Sequence, residues 1–224
     1  MADRYIPALR FRALTRFYDP VLAAVLRERT WKSRLVDQVA LRPGMRALDL
    51  GCGTATLTVL LARSCPDAVV VGVDADSDAL GRAREKAAAA GAAVEFVVGR
   101  AEAPPFSSGS FDRVVSSLLF HHLTTDGKRR ALAAARDVLR AHGELHVADW
   151  GQPHDRLMRL AFLPVQLLDG FATTAANVRG DLPRLIAEAG FEVDETHRQR
   201  TGRWPCCGRD FADARARSPP RATQ

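Results

Sequence analysis

Short, largely apolar segments alternate along this chain with segments patterned for helix, and that alternation leaves few folds open. Met45–Leu50, Ala68–Val73, Val94–Val98, Phe111–Ser117 and Glu144–Asp149 read as strands. Between them, Thr54–Ala62, Ser77–Ala90 and Asp126–Leu139 place apolar residues at helical spacing. Ser77 is the expected N-cap of the second of these, Gly91 its stop, and His142-Gly143 the turn that closes the third. A strand without polar alternation must be covered on both faces, and strands joined through helices run parallel with right-handed crossovers. The expected fold is therefore α/β, a doubly wound, mostly parallel sheet. Residues 21–40 add one or two helices before it. Beyond a helix-like stretch at 156–168, Leu182–Ala189 reads as a helix stopped by Gly190, and Phe191–Thr196 as a sixth strand.

Length and composition narrow the class further. At 224 residues, 47% of them hydrophobic and 26% charged, the chain suits one globular domain and excludes a disordered or fibrous protein. Four cysteines form no disulfide framework at this size, and no C-x-x-C pair is present. Free thiols, no metal site and a cytoplasmic location are the corresponding expectations. The net charge of +6 is concentrated at the two ends, while the middle is mildly acidic. Of the 32 basic residues 29 are Arg, spread so evenly that they argue against nucleic-acid binding. Met1 to Pro7 carries no secretory pattern, and Leu157–Phe171 is interrupted by Arg159, Pro164 and Asp169, so no membrane span is expected.

In such sheets ligands bind beyond the carboxyl ends of the strands. Attention therefore falls on Asp49-Leu-Gly-Cys-Gly53, where the first strand enters its helix. Gly51 and Gly53 permit positive φ and a close ligand approach, and the following helix offers unpaired N–H groups. Alone, a G-x-G turn can be merely structural. Asp74, ending the second strand 21 residues after Gly53, is placed to accept from ribose hydroxyls. The pair points to an adenosine-like ligand and leaves two classes open, a nicotinamide dinucleotide or S-adenosylmethionine. A dinucleotide fingerprint would want glycine where Thr56 stands.

Ala47-Leu-Asp-Leu-Gly-Cys-Gly-Thr54 resembles the first motif of class I S-adenosylmethionine-dependent methyltransferases, and Val71-Gly-Val-Asp74 their second. Val98-Gly-Arg-Ala-Glu-Ala-Pro-Pro-Phe106 is similar to the third, and Gly109–Asp112 through Ser117–Leu123 to the fourth. Val138–Gly143 and the strand after it continue the series, in the manner of the quinone-biosynthesis and small-molecule branch. The resemblance implies that Asp49, Gly51, Cys52, Gly53 and Thr54 surround the methionine part of the cofactor. It implies that Asp74 and Ala75 meet the ribose, that Arg100, Ala101 and Glu102 meet the adenine, and that Ser117 closes over the methionine end. Ala55 departs from the pattern at a third glycine, tolerable with a negative φ. Arg100 departs where an acid accepts from the adenine amino group; Arg donates only, so stacking by Arg100 or substitution by Glu102 is expected.

The implied activity is in-line methyl transfer to a small, apolar or aromatic acceptor. His121, His122 and Asp149 are the candidate bases, since His titrates near working pH. Tyr18, Trp31, Trp150, Phe162 and Phe171 are the aromatics that could line the acceptor side, and Arg27 and Arg29 the cations that could meet an acidic acceptor. A non-catalytic cofactor-binding paralogue and a nicotinamide-dependent oxidoreductase are the alternatives. The organisation expected is an N-terminal helical cap at 1–42 and a cofactor-binding domain at 43–197, with a substrate-cover insertion at 151–180. A basic tail at 198–224 follows. Residues 198–224 show no β-patterned run, so the antiparallel strand that usually ends this family's sheet is expected to be missing. The edge left on the sixth strand would favour a homodimer.

Overall fold

The computed structural model describes residues 28–153, 159–160, 163, 166–167, 170–200 and 210–217; for 28–30, 195–200 and 210–217 this is the backbone alone. Helix α1 (Glu28–Val39) precedes β1 (Arg46–Leu50), α2 (Thr56–Ser64), β2 (Val69–Asp74), α3 (Ser77–Ala89) and β3 (Glu95–Val98). Then come β4 (Phe111–Ser117), a 3-10 turn (Phe120–His122), α4 (Thr125–Val138) and β5 (Leu139–Trp150). Helices α5 (Phe171–Arg179) and α6 (Leu182–Glu188) lead to β6 (Glu192–Arg200) and β7 (Asp210–Arg217).

The strands form one sheet in the order β3-β2-β1-β4-β5-β7-β6. The first five pair in parallel, and β7 runs antiparallel to both β5 and β6. Strand order reverses between β1 and β4, which opens a crevice beyond their carboxyl ends. Alternation along each strand divides the core between the two faces. Leu48, Leu50, Val71, Val73 and Val114 pack with Leu132 and Ala135 of α4 and with Leu185 and Ile186 of α6. Val70, Val115 and Ala148 pack on the other face against Trp31 and Leu35 of α1 and Leu57 and Leu61 of α2. The sheet is doubly wound, as the apolar runs required.

Four local expectations are corrected. Strand β7 exists, inserted between β5 and β6, so the sheet is not short of its last antiparallel strand. Asp210-Phe-Ala-Asp-Ala-Arg-Ala-Arg217 does alternate with period two, but its small residue is alanine, which has little β preference and hides the pattern. Strand β6 continues to Arg200, so neither strand belongs to a structureless tail beginning at 198. The N-cap of α3 is Asp76, which accepts from the backbone N–H groups of Asp78 (2.9 Å) and Ala79 (3.2 Å), while Ser77 is already helical. Finally, α4 gives way directly to β5 at Leu139; His142, at φ +62°, lies inside the strand. Tyr18, Arg27, Phe162, Cys206, Cys207 and most of the N-terminal cap lie outside the described residues. No helix among the described residues is long and apolar enough to cross a membrane.

Candidate cofactor and acceptor site

The β1–α2 turn is held by the neighbouring strand. Gly51 and Cys52 both donate their backbone N–H to the Val73 carbonyl, at 2.9 and 3.0 Å. Gly51 lies at φ +74°, and a Cβ there would sit 2.7 Å from Leu119 Cδ1, so the turn packs directly on the segment after β4. Gly53, at φ +53°, faces open space: a Cβ on it would meet nothing within 4 Å. Its N–H donates to Asp74 Oδ2 at 2.8 Å, while Asp74 Oδ1 accepts from Asp76 N–H at 2.9 Å. Burial raises the Asp74 carboxyl above its ordinary value, against the pull of those two N–H groups.

Asp49 lies behind the same turn, fully buried. Its Oδ2 accepts from the Thr58 hydroxyl at 2.7 Å, and its Oδ1 has no hydrogen-bond partner. Burial pushes this carboxyl up to about 6, opposed by the Thr58 hydrogen bond and the charge of Lys32. Burial, with Asp49 and Asp74 adding to it, also pushes the Cys52 thiol up, so Cys52 is neutral and no nucleophile. Ala55 is the N-cap of α2 at φ +63°, contrary to the negative φ that would make it comfortable. Its methyl is buried with Leu80 and Ala83. The flanking hydroxyls of Thr54 and Thr56 both accept from Lys86 Nζ, at 3.0 and 2.9 Å, which braces the turn from α3.

Past β3, Gly99 N–H donates to the Asp74 carbonyl at 2.9 Å, which ties the adenine-side segment to the ribose-side strand. Arg100 and Glu102 do not act separately there. They form an ion pair at 2.8 Å, with the Arg100 side chain 42% exposed. Ala101 is buried between them, and Ala75 follows Asp74 directly at the start of the α3 cap. Ser117 ends β4 opposite Ala148 of β5. Its neighbour Ser116 donates to the Leu50 carbonyl at 3.0 Å, which closes the β1–β4 switch point.

Leu118 follows at φ +56°, and this left-handed residue swings the chain so that Leu119 lands on Gly51 and His121 on Asp149. His121 Nδ1 lies 2.7 Å from Asp149 Oδ1, and its backbone N–H donates to Asp149 Oδ2 at 3.1 Å. Asp149 Oδ1 also accepts the Trp150 N–H at 2.6 Å. Burial works to raise the Asp149 carboxyl, but the His121 ring and these N–H groups outweigh it and hold the group below its ordinary value. An ionised carboxylate only accepts, so the proton of a neutral His121 ring sits on Nδ1 and its lone pair on Nε2. His122, whose ring is 4.0 Å from that of His121, is pushed down to about 3 by burial and by His121, so it is neutral.

The structure thus brings His121 and Asp149 together and sets the His122 ring, tilted by 41°, beside that of His121. It also adds residues that the sequence reading passed over. Lys128 is fully buried and donates to the carbonyls of Leu123 (2.5 Å) and Thr173 (2.6 Å). It stands at the head of the apolar stripe Ala131, Leu132, Ala135 and Val138, the one signal that could have marked it. Asn177 of α5 is buried and donates from Nδ2 to the Trp150 carbonyl at 3.0 Å. Of the aromatics, Trp31 and Trp150 pack in the core, with the Trp150 ring 6.1 Å from that of His121, and Phe171 is 54% exposed.

A Rossmann-like sheet, a glycine turn at the β1–β4 switch point and an acid at the tip of β2 define a class, and the comparisons agree with it. Residues 47–143 match the Methyltransferase domain family. The chain belongs to the S-adenosylmethionine-dependent methyltransferases, and its cofactor is S-adenosylmethionine. Among its relatives is an uncharacterized methyltransferase of Synechocystis, 33% identical over 165 residues, covering 72% of this chain and 74% of that one. The ubiquinone/menaquinone biosynthesis C-methyltransferase of Shewanella frigidimarina is 30% identical over 191 residues, 75% of each. The demethylmenaquinone methyltransferase of Thermus thermophilus is 37% identical over 123 residues, and this chain spans 55% of its length. The fold is also that of a methyltransferase crystal structure from Aquifex aeolicus, with a TM-score of 0.67 at 16% identity over 96% of this chain and 100% of the other.

Proposed function

We propose that this enzyme transfers a methyl group in line to a small, apolar or aromatic acceptor, with His121 as the base and Asp149 holding it. When bound, S-adenosylmethionine supplies an electrophilic methyl group on a sulfonium. The residues around the β1–α2 turn fit such a group on two counts. Gly53 leaves open space where a side chain would stand, and Asp49 keeps a buried carboxylate oxygen without a donor, suited to a cationic ligand. Asp49, Gly51, Cys52, Gly53 and Thr54 hold its amino-acid part, Asp74 and Ala75 its ribose, Ala101 and Glu102 its adenine, and Ser117 its methionine end. Arg100 neutralises Glu102 instead of stacking.

The 2.7 Å contact between His121 Nδ1 and Asp149 Oδ1 carries the catalytic part of this reading. It fixes the ring and its tautomer, so that Nε2 can take a proton from the acceptor as the new bond forms. A buried aspartate beside an imidazole also stabilises the imidazolium that results. The names of the quinone-related relatives support an aromatic acceptor. The test is transfer of labelled methyl to reduced naphthoquinones and to a metabolite extract. The expected result is a labelled small molecule whose formation needs His121; label that appears only at background, with cofactor bound, contradicts it.

A further inference from the structure

Two buried side-chain oxygens among the described residues lack a hydrogen-bond partner. One is Asp49 Oδ1, on the cofactor side of the crevice. The other is Asn177 Oδ1, on α5 beside the end of β5. A buried carbonyl without a donor costs about 1–3 kcal/mol, so its retention calls for an occupant that supplies one.

Helix α5 is unusual in burying polar residues: Thr173, Thr174 and Asn177 all lie inside. The first two are satisfied. The Thr173 hydroxyl donates to the Gly170 carbonyl at 3.0 Å and its carbonyl accepts from Lys128. The Thr174 hydroxyl donates to the same Gly170 carbonyl at 2.8 Å and accepts from Gln166 Nε2 at 3.0 Å. Asn177 differs. Its Nδ2 is committed to the Trp150 carbonyl, which fixes the orientation of the amide and leaves Oδ1 with nothing to accept. Trp150 N–H in turn donates to Asp149, which holds His121. The residue bearing the orphan oxygen is therefore tied through Trp150 and Asp149 to the proposed base, at the tip of β5, and α5 packs on the 3-10 turn that carries that base.

We propose that Asn177 determines acceptor specificity: its Oδ1 accepts a hydrogen bond from an O–H or N–H group on the methyl acceptor. This rests on the function proposed above, and it adds a requirement to it. An acceptor of the right shape without a hydrogen-bond donor leaves the oxygen orphaned and binds weakly. Discrimination by an unpaired buried group exceeds what shape alone achieves in an apolar pocket.

The test uses the full chain saturated with S-adenosylhomocysteine and three probes of one shape: 2-naphthol, 2-naphthylamine and 2-methoxynaphthalene. Calorimetry of the wild-type protein should show the naphthol or the amine bound at least about tenfold more tightly than the ether. Which of the two is preferred identifies the donor. In Asn177→Leu, of similar volume, the preference should fall to within about twofold while the affinity for S-adenosylhomocysteine stays unchanged. Asn177→Ala, which suits a helix and pushes on nothing, repeats the measurement if the leucine variant loses its fold. Overturning results are a wild-type protein that binds the ether as well as the others or binds none of them, and a preference that survives both substitutions. Wild-type protein that fails to bind S-adenosylhomocysteine defeats the proposed function as well; binding it without discriminating among the probes defeats this inference alone.

Discussion

The carboxylate of Asp149 receives both the ring Nδ1 and the backbone N–H of one residue, His121, at 2.7 and 3.1 Å. Two contacts to one partner fix both the position of the turn and the rotation of the ring. Asp149→Asn keeps the shape but offers an amide that can favour the other tautomer, with the proton on Nε2. The expected outcome is a kcat lower by about 10²–10⁴ with cofactor affinity within twofold. Radiolabelled turnover and calorimetry on the same preparation check it; a kcat within threefold of wild type removes His121 from the chemistry.

Asp49 makes cofactor binding depend on pH. Its carboxyl, at about 6, must be ionised to meet a cation, so below that pH binding has to expel a proton. Affinity for S-adenosylhomocysteine should fall by up to about tenfold per pH unit below 6 and level off above it. Asp49→Asn should bind weakly at every pH without that slope. An affinity flat between pH 5 and 7 in the wild-type protein contradicts the assignment.

Ala55 at φ +63° carries a left-handed backbone cost of roughly 1–2 kcal/mol that glycine avoids. Ala83 is equally buried but lies inside α3. Replacing Ala83 by glycine loses a buried methyl and helix propensity, about 2 kcal/mol in all. Replacing Ala55 should therefore cost at least about 1 kcal/mol less, as read by urea unfolding. Equal losses at the two sites would mean that Ala55 is not strained.

Lys128 is pushed down to about 8 by burial from an ordinary value of 10.5. Between those two pH values the unfolded chain holds the proton that the folded chain has released, so folding stability rises with pH across that window. Below it both states are protonated and the buried ammonium weighs fully on the fold. Relative to Lys128→Met, the wild-type protein should gain on the order of 1 kcal/mol per pH unit between about 8 and 10. Parallel unfolding curves of the two proteins, with a constant difference, would contradict this.

The parts of the fold that are legible in sequence are those written locally. Each of the first five strands announces itself as a short, largely apolar segment between helical ones, and the Gly51–Gly53 turn with Asp74 needs only a spacing of 21 residues. What is lost depends on partners far away. Strand β7 hides behind alanine, whose weak β preference leaves little pattern to read, while its place between β5 and β6 follows from pairing with strands far off in sequence. The left-handed turn at Ala55 is hidden for a related reason: alanine carries no signal of positive φ. His121 and Asp149 are visible singly, but only the parallel register of β4 on β5, Ser117 opposite Ala148, brings them together across 28 residues. Lys128 and Asn177 look like ordinary helix-surface residues until the packing of α4 and α5 buries them.

The most direct test of the cofactor site is a calorimetric titration of S-adenosylhomocysteine into the wild-type protein and Asp74→Ala. Asp74 both receives Gly53 N–H at 2.8 Å and stands where the ribose is placed. Micromolar binding by the wild type, weakened at least about thirtyfold in a variant that stays folded, is the predicted result. Unchanged affinity in Asp74→Ala would contradict the account at its root.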